Sequence, residues 1–254
     1  MTVVARLRAA GCVFADEEAQ LLMESATTPA RLAAMVEQRV AGRPLEHVVG
    51  WAQFCGLRIA VQPGVFVPRR RTEFLVRQAA ALSPPRPVVL DLCCGSGAVA
   101  VALAATLDGA EVHAADVDPT AVRCARGNLG AGGLVYEGDL YEPLPATLRN
   151  RVDVLVANVP YVPSREVELL PAEARLHEPR VALDGGVDGL DVLRRVAAAA
   201  PQWLAPGGQL LVEITDGQLQ SAVDAIAGSG LIPDVARSAE LDATVVSGRS
   251  AGSR

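Results

Sequence analysis

Lysine is absent from this 254-residue sequence, in which all 23 basic residues are arginine. A Walker phosphate loop, a pyridoxal Schiff base and a catalytic lysine nucleophile each need an ammonium side chain, so those chemistries are excluded together. No Cys-x-x-Cys occurs either. The cysteines are Cys12, Cys55, Cys93, Cys94 and Cys124, an odd number with no secretion signal, which suits reduced thiols. Adjacent Cys93 and Cys94 are badly spaced for one zinc ion and read as small residues filling a tight loop. His47, His113 and His177 stand far apart with no carboxylate or cysteine cluster around them, so each reads as a core or surface histidine and no metal is expected. No uncharged apolar run approaches the roughly 18 residues needed to span a bilayer. The basic start at Arg6 and Arg8 is not followed by an apolar core before Asp16-Glu17-Glu18, so no signal peptide or membrane association is expected and cytoplasm is the default location.

What is present is a chain with 50% hydrophobic residues and a net charge of -6, enough apolar content for one large core and a small extra domain. Residues 1–75 hold nine arginines and seven acidic residues, a balance of +2, and the remainder carries -8. No basic stripe is apparent, so direct binding to nucleic acid is not expected. The one cationic cluster, Arg69-Arg70-Arg71, reads as a solvated turn, with contact to an acidic protein face or an RNA-bound partner as the other reading.

Along the chain, residues 1–50 read as a compact helical module. Thr28 is placed to cap a helix with Pro29 at its first position, Leu32, Met35, Val36 and Val40 recur at helical spacing, and Gly42 and Pro44 end the run. A second short helix begins at Asp16 with Ala19, Leu22 and Met23 on its packed side. Residues 51–76 read as a β-hairpin linker turning at Cys55-Gly56. Residues 77–254 alternate strands, at 88–92, 111–115, 133–137, 152–157 and 209–214, with helical segments. That alternation predicts an α/β fold with a parallel sheet covered on both faces.

Two motifs fall where strands should end. The first is Asp91-Leu92-Cys93-Cys94-Gly95-Ser96-Gly97, a strand, a glycine loop and then the helix-forming run from Ala98. Gly95 and Gly97 let backbone approach a ligand, and the helix start supplies free N–H donors. Asp116 closes the next strand and is placed to accept from ribose hydroxyls. Gly95 to Ala100 also fits a loose dinucleotide fingerprint. Asp91 inside the turn argues against a pyrophosphate and for a cationic ligand end. The second motif is Asn158-Val159-Pro160-Tyr161. The Asn158 amide oxygen and the Val159 carbonyl can each accept one N–H of a planar NH2 group, with Tyr161 against its plane. Pro160 fixes its own φ and biases Val159 toward extended geometry. A plain strand end with a proline turn is the alternative.

Together these residues resemble class I S-adenosylmethionine-dependent methyltransferases, and among them the N5-glutamine methyltransferases of peptide-chain release factors. The resemblance covers nearly the whole chain, including Pro68-Arg69-Arg70-Arg71-Thr72-Glu73, similar to the family's Pro-Arg-Pro-Glu-Thr-Glu, and the segment from Glu178 to Leu190. It implies a doubly wound, mostly parallel seven-stranded sheet closed by an antiparallel hairpin at residues 232–236 and 243–247. It also implies S-adenosylmethionine as cofactor, with S-adenosylhomocysteine as product, bound at residues 93–97, Asp116, Asp139, Leu140 and Asn158. The substrate glutamine, expected in the Gly-Gly-Gln loop of a release factor, would be held by Asn158, Val159, Pro160 and Tyr161. The chain departs from the family at four places. Cys93-Cys94 replace Gly-Thr, Val159 replaces the first proline of Asn-Pro-Pro-Tyr, Arg70-Arg71 replace Pro-Glu, and Glu213-Ile214-Thr215 alters Glu-Ile-Gly.

The expected chemistry follows from the poor nucleophilicity of an amide nitrogen. The protein has to align it with an already electrophilic methyl group, and Asn158, Pro160 and Tyr161 are the residues placed to do so. An exocyclic amine of a nucleic-acid base offers the same NH2 and is the alternative substrate. A nicotinamide-dependent oxidoreductase or a silent cofactor-binding module is a third reading.

Overall fold

The computed structural model describes residues 2–252, so Met1 of the 1–50 segment and Ser253 and Arg254 of the 77–254 segment lie outside the described residues. The chain begins with four helices, α1 (Val3–Ala9), α2 (Ala15–Ser25), α3 (Pro29–Val40) and α4 (Leu45–Val49). Leu7, Ala19, Leu22, Met35, Val36 and Val48 form their common core. Thr28 caps α3 as expected, its hydroxyl accepting from the Arg31 N–H at 3.1 Å, with Pro29 at the first helical position. Met23 is a correction: it is 50% exposed, because α2 packs through Ala15, Ala19 and Leu22 and the stripe turns away from the core at residue 23. Arg39 ties the bundle together and to the rest of the molecule, pairing with Glu18 at 2.6 Å and with Glu173 at 2.7 Å.

An antiparallel hairpin follows, β1 (Trp51–Phe54) and β2 (Leu57–Ala60). It turns at Cys55 and Gly56, both at positive φ. The extended stretch after it has no strand partner. Instead, Val61, Val65 and Val67 bury with Ala52 and Cys124 in a small separate cluster.

The remaining elements in chain order are α5 (Glu73–Leu82), β3 (Val88–Leu92), α6 (Ala98–Thr106), β4 (Glu111–Asp116), α7 (Pro119–Leu129), β5 (Leu134–Glu137), β6 (Val152–Ala157), α8 (Ala172–His177), α9 (Asp191–Ala199), β7 (Leu204–Ile214), α10 (Leu219–Gly228), β8 (Ile232–Ser238) and β9 (Ala243–Arg249). Seven strands form one sheet in the order β5-β4-β3-β6-β7-β9-β8. The first five run parallel, while β9 lies antiparallel between β7 and β8. Side chains alternate across the sheet, as the two-residue period of a strand requires. Leu90, Leu92, Leu155, Leu210 and Val212 face one core with α9 and α10. Val89, Val154, Val156 and Leu211 face a second core with α5, α6 and α7. Strand β7 begins earlier than its apolar pattern suggests, because the pairing with β6 jumps from Leu204 to Gln209. Residues 205–208 form the intervening bulge, in which a Cβ on Gly208 would lie 2.6 Å from the Val152 carbonyl.

Candidate active site

Strand order reverses between β3 and β6, and in wound sheets the ligand crevice lies beyond the carboxyl ends of the strands at that point. A cavity of about 190 Å³ opens there. Every residue expected from the sequence to touch cofactor or substrate lines it: Asp91, Cys93 to Ser96, Asp116, Asp139, Leu140 and Asn158 to Tyr161, with the exception of Gly97. Gly97 instead sits at φ +76°, where a Cβ would lie 3.0 Å from that of Ala125 on α7. Its bareness serves helix packing.

The glycine loop is wound tightly by backbone bonds. Cys94 N–H donates to the Ala115 carbonyl at 3.1 Å and Gly97 N–H to the Cys94 carbonyl at 2.7 Å. Asp116 braces the same loop, one carboxylate oxygen accepting from Gly95 N–H at 2.8 Å and the other from Asp118 N–H at 2.9 Å. Cys93 and Leu140, neither of them glycine, lie at φ +56° and +49°. Left-handed backbone at two cavity-wall residues is strain of the kind that gathers at binding sites. Burial, with the charges of Asp116, Asp91 and Asp139 behind it, holds the Cys93 thiol well above the ordinary range. Cys93 is thus a neutral wall residue and no nucleophile.

Asp91 corrects the sequence reading in one respect. It lies within β3 and not in the turn, 2% exposed, and accepts from the Ala100 N–H in the first turn of α6 at 3.1 Å. Burial pushes its pKa up to about 8, against the lowering effect of the Ala100 bond and with the Asp116 charge adding to the rise. Asp139 follows β5 and pairs with Arg195 at 2.6 Å, so the cavity's one arginine is neutralised and acidic groups dominate its charge.

On the opposite wall, Asn158 donates from Nδ2 to the Thr72 hydroxyl at 3.3 Å, while its Oδ1 is buried with no partner. The Val159 carbonyl accepts no hydrogen bond among the described residues. Asn158 Oδ1 is thus an unpaired acceptor in a protein interior where buried polar atoms are almost always paired. Tyr161 is held at both ends. Gln218 donates to its carbonyl at 2.8 Å, and Arg71 donates to its hydroxyl and lies over its ring, 5.4 Å from the centroid.

The segment from Glu178 to Leu190 explains itself here. Val162 N–H donates to the Leu183 carbonyl at 3.0 Å, Gly185 N–H to the Val162 carbonyl at 2.8 Å, and Ser164 N–H to the Gly186 carbonyl at 2.8 Å. It is a splint along the chain that leaves Tyr161. A Cβ on Gly185 would lie 2.5 Å from the carbonyls of both Pro160 and Gly189. Gly185→Ala is therefore expected to push the 158–161 corner out of place, costing about 1–3 kcal/mol of stability as overpacking does. Turnover should fall more than tenfold by the loss of alignment. Thermal melts and a turnover assay on the same preparation check both effects.

The Arg69-Arg70-Arg71 run is a further correction. Only Arg70 is exposed as a solvated turn would have it. Arg69 grips the buried Glu178 at 2.6 Å, and Arg71 grips Glu213, whose side chain is 3% exposed, at 3.0 Å. Sequence reasoning missed Thr72, Arg71, Glu213, Gln218 and Arg195 as parts of the site. The available signal was the pair of departures at Arg71 and around Glu213, which in the fold face each other.

The family model described as methyltransferase small domain matches residues 56–186. A release factor glutamine methyltransferase of Geobacter sulfurreducens is 41% identical over 208 residues, covering 80% of this chain and 72% of that one. The chain belongs to the release factor glutamine methyltransferase family. Another member, from Bradyrhizobium diazoefficiens, is 33% identical over 264 residues and covers 94% of this chain and 89% of its own. This methyltransferase shares its fold with a solved methyltransferase of Pyrococcus furiosus, at a TM-score of 0.58, 16% identity and coverage of 87% and 97% of the two chains. Among the described residues no helix is long and apolar enough to cross a membrane.

Proposed function

We propose that this family member transfers a methyl group from S-adenosylmethionine to the side-chain amide nitrogen of a glutamine in a peptide-chain release factor, acting in the cytoplasm. The observation that carries the reading is the partnerless amide oxygen of Asn158, a residue that lines, with Val159, a cavity rich in carboxylates. The donor set suits the cofactor. A cationic ligand gains from Asp91, Asp116 and Asp139, whereas a pyrophosphate would meet the same charges as repulsion. Gly95, beside which no atom lies within 4 Å of an added Cβ, leaves its backbone bare to the cavity. Residues 93–97, Asp116, Asp139 and Leu140 would hold the donor, with Asp91 supplying charge behind them. When bound, the donor supplies an electrophilic methyl group on a sulfonium.

The chain's own residues orient the amide. Asn158 Oδ1 and the Val159 carbonyl each accept one N–H of the glutamine NH2, which fixes the plane and the direction of the nitrogen lone pair. The same two oxygens stabilise the positive charge that grows on nitrogen as it is alkylated. Tyr161, pinned by Arg71 and Gln218, confines the carboxamide and keeps water off the nitrogen. The site needs no general base, since the proton leaves an alkylated, acidified nitrogen to solvent. Incubating the protein with isotopically labelled S-adenosylmethionine and purified release factors, then mapping the labelled residue by mass spectrometry, tests the reading. Label on the glutamine of the Gly-Gly-Gln loop is expected. Label only on another residue type or only on added nucleic acid contradicts it.

A further inference from the structure

Asn128, near the end of α7, uses its whole amide on backbone that is distant in sequence. Its Oδ1 accepts from the Ala60 N–H at 2.9 Å, and its Nδ2 donates both to the Ala60 carbonyl at 2.8 Å and to the Ser96 carbonyl at 2.8 Å. Ala60 ends strand β2 of the hairpin, and Ser96 lies in the glycine loop and lines the cavity. From this arrangement we infer that Asn128 is a positioning residue for the methyl donor, which locks the 94–97 turn against the hairpin and acts on donor affinity, not on the transfer step. The inference rests on the reading of residues 93–97 as the donor loop.

The geometry is that of a peptide plane held at both ends. The Ser96 carbonyl and the Gly97 N–H belong to one planar trans unit and point opposite ways. Gly97 N–H closes the turn onto the Cys94 carbonyl at 2.7 Å, and Asn128 takes the Ser96 carbonyl on the other side. The plane cannot swing, so the backbone of Gly95 and Ser96 keeps its place against the cavity. Few side chains could do this. Aspartate has no donor and serine has one, whereas asparagine matches the N–H and C=O of Ala60 as a second strand would and has one N–H left for Ser96. One donor and two acceptors as partners also fix which end of the amide is which. Cys124, one helical turn earlier on the same face of α7, lies 3.2 Å from the Ala60 carbonyl, and Ala125 beside it abuts Gly97. The bonds to Ala60 lie at the surface, where water replaces them, but Ser96 is only 3% exposed. Loss of the Asn128 amide is therefore felt at the turn. Asn128 itself does not line the cavity and acts through the loop.

The test sets Asn128→Ala beside Asn128→Asp, which keeps the shape and the acceptor but turns both donors into acceptors that face carbonyls. Calorimetry with S-adenosylhomocysteine reads the affinity of the donor site, melting temperature reports folding, and steady-state kinetics with a purified release factor separate KM from kcat. Asn128→Ala is expected to weaken S-adenosylhomocysteine binding by roughly tenfold and to raise KM for S-adenosylmethionine by a similar factor. At saturating donor its kcat should stay within about threefold of wild type. Asn128→Asp is expected to bind at least as weakly. Thr28→Ala, which removes the α3 cap in the helical module, controls for lost stability, and its melting temperature should fall with S-adenosylhomocysteine affinity unchanged. Wild-type affinity in Asn128→Ala or Asn128→Asp, or a loss no greater than that in Thr28→Ala, overturns the inference. A fall of about tenfold in kcat at unchanged KM overturns it as well. Should neither Asn128 variant fold, Asn128→Ser, whose single donor cannot hold Ala60 and Ser96 at once, takes their place with the same expectation, and wild-type affinity in it overturns the inference. Asp116→Ala separates the two levels. If it binds S-adenosylhomocysteine like wild type, the reading of the donor loop fails, whereas a weakened Asp116→Ala beside a wild-type Asn128→Ala removes only the role of Asn128.

Discussion

Asn158→Ala should lower turnover by roughly 10²–10³-fold, the cost of deleting one preorganised group that meets charge developing in a transition state. Affinity for S-adenosylmethionine should stay within a few-fold. The free enzyme should be hardly less stable, changing by less than about 1 kcal/mol, because the mutation removes an oxygen that the fold buries at a cost of about 1–3 kcal/mol when unpaired. That combination distinguishes a functional orphan from a structural one. A structural asparagine would lose stability in proportion to activity, whereas Oδ1 of Asn158 has no partner in the fold to lose. Single-turnover rates with a release factor, set beside melting temperatures, read both quantities on one sample.

Asp91→Asn should trade cofactor affinity for stability. Unfolded, an aspartate loses its proton near its ordinary value, and in the fold Asp91 holds it until about pH 8. Across that window the native state binds a proton that the unfolded state has released, so stability falls as pH rises through it. Asparagine keeps the acceptor for Ala100 N–H without the buried charge. The variant should therefore melt higher than wild type at pH 8, by several degrees if it gains more than about 1 kcal/mol, each kcal/mol being worth about 2–4 °C in a chain of this size. The same substitution should weaken S-adenosylmethionine binding by roughly tenfold or more, since a cation beside a buried carboxylate is what favours the carboxylate's ionised form. In the wild type, binding near pH 7 should release a proton, visible in calorimetry as an enthalpy that depends on the ionisation heat of the buffer. An Asp91→Asn variant with unchanged affinity and no such dependence lost would place the donor's charge elsewhere.

The central sheet was legible in the sequence because its strands are short apolar runs that end at polar residues. Strands β3 and β6 coincide with the expected 88–92 and 152–157, and the two antiparallel strands were displaced only at their ends. Helices α1 and α4, of seven and five residues, went unnoticed, since so short a helix carries too little periodicity to register and is stabilised by packing. The expected cofactor and substrate residues converge on one cavity because all but a few lie at carboxyl ends of parallel strands, where topology alone brings them together. What the sequence concealed is pairing at long range. Arg71 meets Tyr161 across 90 positions and Glu213 across 142, and Thr72 meets Asn158 across 86. Arg69 and Arg71 look like solvent-exposed charge until their buried carboxylates, Glu178 and Glu213, are seen. The departure at Arg71 forms an ion pair in the fold with Glu213, two residues before the departure at Thr215.

The most direct measurement is a crystal structure of the protein with S-adenosylhomocysteine and a peptide carrying the release factor's Gly-Gly-Gln sequence. The glutamine side-chain nitrogen should lie within about 3 Å of both Asn158 Oδ1 and the Val159 carbonyl, with its carboxamide against Tyr161 and its free face toward the sulfur. A glutamine bound elsewhere, or an Asn158 whose Nδ2 points into the cavity, would contradict the account.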